Sequence, residues 1–108
     1  MNISVKGSGV ELTEALSAYA AEKISSLEKY HADLMTAQVD LERTTHHQHK
    51  GDVWRAQGTL TAPKKSFHAS HDAEDLYAAI DGLKDALKRE LQSDKERMQD
   101  AARSVVEL

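Results

Sequence analysis

The chain reads as an α+β protein, a β-α-β-β-β-α two-layer sandwich with two helices packed on one face of a four-stranded sheet. Three observations predict this. Two long stretches carry apolar residues at helical spacing along one face, and four short ones alternate with period two. They follow one another in the order strand, helix, three strands, helix. Elements with a single apolar face must bury it against one another, and two layers do so. The 108 residues make one compact domain, 1–108, large enough for a core without disulfide or metal.

Asn2 to Lys6 alternates, with Ile3 and Val5 on one side, and Gly7-Ser8-Gly9 ends it as a short strand. Thr13 suits an N-cap, and Leu16, Ala20, Ile24 and Leu27 recur at helical spacing with Tyr19 and Tyr30 on the flank, which predicts a helix from about Glu14 to Tyr30. His31-Ala32-Asp33 is a loop. Ala37, Val39 and Leu41 then alternate with polar residues in a second strand, and Val53 to Thr61 forms a third with Trp54, Ala56 and Leu60 on one side. Ala62-Pro63-Lys64-Lys65 is a tight turn, followed by Ser66 to Ser70 as the fourth strand.

The last element is the longest. Asp72 is placed to cap it, Glu74 and Asp75 put negative charge in its first turn, and Leu76, Ile80, Leu83, Leu87, Leu91 and Met98 mark one stripe. Asp94 falls on that stripe, so tight packing should stop near Leu91, and the tail from about 99 is expected to be disordered. The first strand-helix-strand unit should cross over right-handed.

Composition excludes several function classes. There is no cysteine, which removes thiolate chemistry, Cys-based zinc sites and disulfide frameworks. The opening MNISVKGSGVEL lacks a signal-peptide layout, and no run approaches the roughly 18 apolar residues of a membrane span. A soluble, cytoplasmic protein is expected. His46, His47 and His49 stand close enough for a metal to use two of them, but no helical His pair joins them and a solvated hairpin loop is the simpler reading. His68 and His71 border the final strand and could approach the same end of the sheet, a geometry that spacing alone does not establish. No nucleophile elbow or phosphate-cradling glycine loop is present, since Lys6-Gly7-Ser8-Gly9 lacks the required spacing. No enzymatic activity, cofactor, metal or small-molecule substrate is expected.

A net charge of −4 argues against a generic polycation, yet it leaves room for a local basic patch because screening cuts off distant charges within about 8–10 Å. Tyr77, Lys84, Lys88 and Lys95 stand at i, i+7, i+11 and i+18, one narrow line beside the apolar stripe. Lys23 holds the equivalent flank of the first helix, and side-by-side helices would bring it to the same groove. Such a row either binds a polyanion or simply lays its stems over the core edge.

GSGVELTEALSAYAAEKISSLEKY followed by DLYAAIDGLKDALKREL resembles the ribosome hibernation-promoting factor family, also described as ribosome-associated inhibitors or ribosomal subunit interface proteins. The resemblance covers nearly the whole chain, with the E-x-T-E-A-L helix start, the K-x-x-x-L-E-K-Y end and the D-x-Y-A-A-I-D signature in matching order. It implies a fold similar to double-stranded RNA-binding domains. It also implies binding to the small ribosomal subunit, its rRNA and neighbouring ribosomal proteins, in the channel used by mRNA and tRNA. Translation is thereby blocked by steric occlusion, and idle ribosomes are preserved in stationary phase or stress. The match implies rRNA-binding roles for Lys23, Arg89 and Lys95, Arg97 continues the basic character, and Lys84 and Lys88 of the row are expected to join them, each within a turn of a position where the family has a lysine that is missing here. Ala86 and Ser93 stand where the family usually has lysine, and Glu90 and Asp94 add negative charge, so a weaker grip is expected. Long-form members carry a further dimerising domain; this chain is expected to be a short form or an N-terminal domain, with a monomer favoured. The alternative is a protein-interaction module of the same fold with weakened RNA binding.

Overall fold

The computed structural model describes residues 1–44 and 54–106, with side chains described to residue 97. The elements are β1 (Asn2–Ser8), α1 (Glu14–Ser25), a 3₁₀ segment (Ser26–Tyr30), β2 (Thr36–Arg43), β3 (Trp54–Ala62), β4 (Lys65–Ala73) and α2 (Leu76–Val106). This is the expected α+β order. The sheet runs β1-β2-β3-β4, with β1 parallel to β2 through the α1 crossover and the other pairs antiparallel.

Period-two alternation decides which sheet face meets the helices. Ala37, Val39 and Leu41 of β2, Ala56, Leu60 and Ala62 of β3, and Phe67 of β4 are buried and share one core with Leu16, Ala20, Ile24 and Leu27 beneath α1. α2 adds Ala79, Ile80, Leu83, Leu87 and Leu91, all at most 1 % exposed. Gly58 lets this helix approach β3 closely, since a Cβ there would lie 3.1 Å from both Leu83 Cδ2 and Leu87 Cδ1. The other sheet face is polar. There Ser8 donates to Asp40, and Arg55 donates to both oxygens of Asp72 at 2.7 and 3.2 Å.

Three expectations change. The first helix leaves α geometry at Ser25 and tightens to 3₁₀. The cause is local, because the Ser25 and Ser26 hydroxyls donate to the carbonyls of Glu22 and Lys23, three residues back, and compete with the i to i−4 ladder. The cap of α2 is Asp75, whose Oδ1 accepts from the Ala78 N–H at 2.8 Å. Asp72 lies inside β4, which runs three residues past its expected end, and is held by Arg55. His68 and His71 stand three apart in that strand and so face opposite sides of the sheet: His68 meets Thr59 Oγ1 at 3.0 Å, while the His71 ring lies against Gly82 of α2. The β3–β4 turn is as read, with Lys64 at φ 64°, the positive value that the second central position of a type II turn requires after Pro63.

Asp94, the carboxylate on the apolar stripe, is 14 % exposed and is captured by Lys65 at 2.9 Å and by Arg97 at 3.7 Å. The Lys65 hydrogen bond is the main reason its carboxyl sits below the ordinary carboxylate range, against the opposing effect of burial. A depressed folded-state value stabilises the protein above the unfolded pKa, near 3.9, and that stability is lost as pH falls through the folded value. Asp94→Asn is therefore expected to cost about 1 kcal/mol at pH 7, the scale of a charge-assisted bond partly screened by solvent. Urea unfolding should show the gap to wild type narrowing below about pH 4.

Candidate nucleic-acid interface

At about 100° per residue, Tyr77, Lys84, Lys88 and Lys95 fall on the flank of α2 that turns toward α1. Contacts along that flank settle its neighbours. The Tyr77 and Tyr19 rings meet edge to face at 4.9 Å. One turn on, the Tyr19 hydroxyl donates to Asp81 Oδ1 at 2.6 Å, and Lys23 Nζ lies 3.9 Å from the same oxygen and 5.3 Å from the Tyr19 ring centre. Farther along, the ammonium groups of Lys88 and Lys29 each lie 5.3 Å from the centre of the Tyr30 ring. Lys95 completes the row: with Lys29, Tyr30, Gln92 and Glu96 it lines an open cavity of about 390 Å³.

The D-x-Y-A-A-I-D stretch thus works first as architecture. Asp75 caps α2, Tyr77 docks on Tyr19, and Asp81 ties the two helices together. The hydrogen bond to Asp81, with desolvation and the same carboxylate's charge, pushes the Tyr19 phenol up to about 12, so it remains a donor at any physiological pH. Tyr30 behaves oppositely. Burial raises its phenol, but the ammonium groups of Lys88 and Lys29 outweigh that and leave it below its ordinary value.

The six predicted binding residues do not form one patch. Lys88 and Lys95 converge with Lys29 around Tyr30, and half-buried Lys84 lies on the same line. Lys23 stands at the other end of the groove and is partly neutralised by Asp81. Arg89 is exposed, about 100° farther round the helix than Lys88, on the outward side. Arg97 falls on the opposite flank, with Asp94 beside it. Lys29 was missed by spacing arguments, because they carry an α-helical pitch through Tyr30 and the 3₁₀ segment changes where Lys29 projects. The signal available was the Lys-Tyr dipeptide itself, a cation beside a ring at a helix end.

Among the described residues, no group of three His, Cys, Asp or Glu side chains is arranged to hold a metal. His46, His47 and His49 lie outside the described residues. Among those described, no helix is long and apolar enough to cross a membrane.

A family model described as Sigma 54 modulation protein / S30EA ribosomal protein matches residues 3–99. The ribosome hibernation promoting factor of Escherichia coli is 35 % identical over 100 residues, covering 91 % of this chain and 97 % of that protein. The ribosome hibernation promotion factor of Lactococcus lactis is 32 % identical over 108 residues, 98 % of this chain but 56 % of that longer protein. The crystal structure of the Thermus thermophilus Protein Y N-terminal domain superposes with a TM-score of 0.71 at 29 % identity, covering 86 % of this chain and 98 % of that one.

Proposed function

The chain belongs to the Sigma 54 modulation protein / S30EA ribosomal protein family, and from that premise we propose that it is a ribosome hibernation factor acting in the cytoplasm. It binds the small ribosomal subunit and inhibits translation by occupying the path of mRNA and tRNA. No bond is made or broken in this reading. A rigid two-layer domain excludes other ligands by volume, and a basic flank holds it in place.

The observation that carries the reading is the convergence of Lys29, Lys88 and Lys95 around Tyr30. Folded RNA is recognised largely through phosphates, 2′-hydroxyls and shape, with bases from unpaired segments stacking on aromatic rings. Three ammonium groups around one ring supply both kinds of contact. Lys84 extends the row toward Lys23, and Arg89 adds a cation on the outward side. The groups that flank Asp81 and Asp94 contribute less, because a carboxylate already satisfies them.

Co-sedimentation with purified small subunits across a salt series tests this. Binding is expected at low salt, with log affinity falling linearly in log salt at a slope of about −3 to −4, as for four or five phosphate contacts. No co-sedimentation at about 50 mM salt would overturn the proposal. The second reading, a protein-interaction module with weakened RNA binding, draws on Ala86, Ser93 and the paired state of Lys23 and Arg97. A slope near zero with retained binding to a ribosome-free protein partner would favour it.

A further inference from the structure

We infer that the end of the inter-helix groove opposite Lys95 is a docking cleft for a basic polypeptide segment, one that presents arginine or lysine beside an aliphatic side chain. The cleft is an apolar cavity of about 360 Å³ lined by Thr13, Leu16, Trp54, Asp75, Leu76 and Tyr77. Its volume suits one or two side chains. Tyr77 is 44 % exposed at its edge, one of two large apolar side chains so open among the described residues.

The charge around this cavity is negative. Glu11 and Glu14 flank Thr13 in the chain, Glu74 precedes Asp75, and all four carboxylates are exposed. Two helix N-termini open here, and each contributes only about half a positive charge. One first-turn amide of each is also engaged already, Leu16 N–H with Thr13 Oγ1 and Ala78 N–H with Asp75 Oδ1. One guanidinium, that of Arg43, lies 5.7 Å from the centre of the Trp54 ring. Among the described residues, four carboxylates against one cation and two half charges leave the mouth attractive to a cation and repellent to a phosphate. The Arg43 contact shows the recognition in miniature, since a guanidinium resting on this indole is what an incoming arginine would repeat on Tyr77.

The two ends of the groove act separately. Tyr77 and Lys88 are eleven residues apart, about 16 Å along the helix, roughly twice the screening length at physiological salt. A polyanion is drawn to the Tyr30 end, and a basic peptide to the Trp54 end. This inference does not depend on ribosome binding, and its test contains no ribosome.

Trp54 is the chain's single tryptophan, so its emission reports directly on the cleft. The probe is a capped pentapeptide alternating arginine and leucine, titrated into the full chain at low salt. A saturable change in Trp54 emission is expected, and Glu14→Lys with Glu74→Lys should weaken it at least about tenfold while far-UV circular dichroism stays unchanged. The same peptide with glutamate for arginine should produce no saturable change, a control that needs no variant. The inference is overturned if the arginine peptide gives no saturable change by about 1 mM, or if the glutamate peptide matches it. It also falls if emission shifts with protein concentration alone, which would make a second copy the occupant, or if an RNA oligonucleotide saturates the signal at lower concentration than the peptide.

Discussion

Replacing Lys29, Lys88 and Lys95 together by glutamate is expected to weaken binding to small ribosomal subunits by about 100- to 1000-fold and to flatten the salt dependence by about two to three units of slope. The size follows from what is reversed. Each ammonium that neutralises a phosphate releases condensed counterions, and a carboxylate in its place restores them and adds repulsion. All three side chains line the cavity beside Tyr30 or lie over its ring, and none belongs to the buried core, so the fold should survive. Two controls make the result specific. Arg97→Glu removes a cation that Asp94 already engages on the opposite flank and should change affinity less than about threefold. Arg89→Glu lies between these limits, because the outward side of α2 contacts RNA only if the subunit wraps past the groove. Equal losses from Arg97→Glu and from the triple variant would mean that net charge, not the Tyr30 cluster, sets the affinity.

How much of this could be read from the sequence depended on range. Period-two alternation identified all four strands, because the covered sheet face selects apolar residues at every second position wherever both neighbours exist. The apolar stripe of α2 located Leu76 to Leu91 for the same reason. What failed was local competition. Ser25 and Ser26 divert α1 into 3₁₀ geometry by bonds that no periodicity records. Asp72 looked like a cap because Asp precedes a helix so often; the cross-strand Arg55 that claims it is 17 residues away in sequence. The Lys row was legible as a line, but its sorting was not. Which lysine meets a tyrosine and which meets an aspartate depends on how α1 and α2 abut, and only the packed pair reveals that Asp81 takes Lys23 while Tyr30 takes Lys29 and Lys88. The D-x-Y-A-A-I-D stretch shows the same division. Its pattern pointed to a family, and its contacts explain it as the joint between the helices.

The joint between α2 and β3 carries the largest stability effect. Leu87 is fully buried, and its Cδ1 lies 3.1 Å from where Gly58 would carry a Cβ, with Leu83 equally close. Leu87→Ala is expected to cost about 3 kcal/mol, combining lost transfer energy with the cavity left behind. That is a large share of the roughly 5–15 kcal/mol of a domain this size. Gly58→Ala alone should also destabilise, by about 1–2 kcal/mol, because the added methyl presses on two fully buried leucine side chains. This reverses the usual ordering, in which alanine is favoured over glycine inside a strand by about 0.5–1 kcal/mol. The decisive measurement is the double variant. Removing the Leu87 side chain abolishes one of the close contacts and opens space into which Leu83 can shift away from a methyl at position 58, so the two changes should together cost at least about 1 kcal/mol less than the sum of the singles. Denaturant unfolding of the four proteins gives that coupling directly. Strict additivity would show that Gly58 serves the strand's own backbone rather than the close approach of the helix.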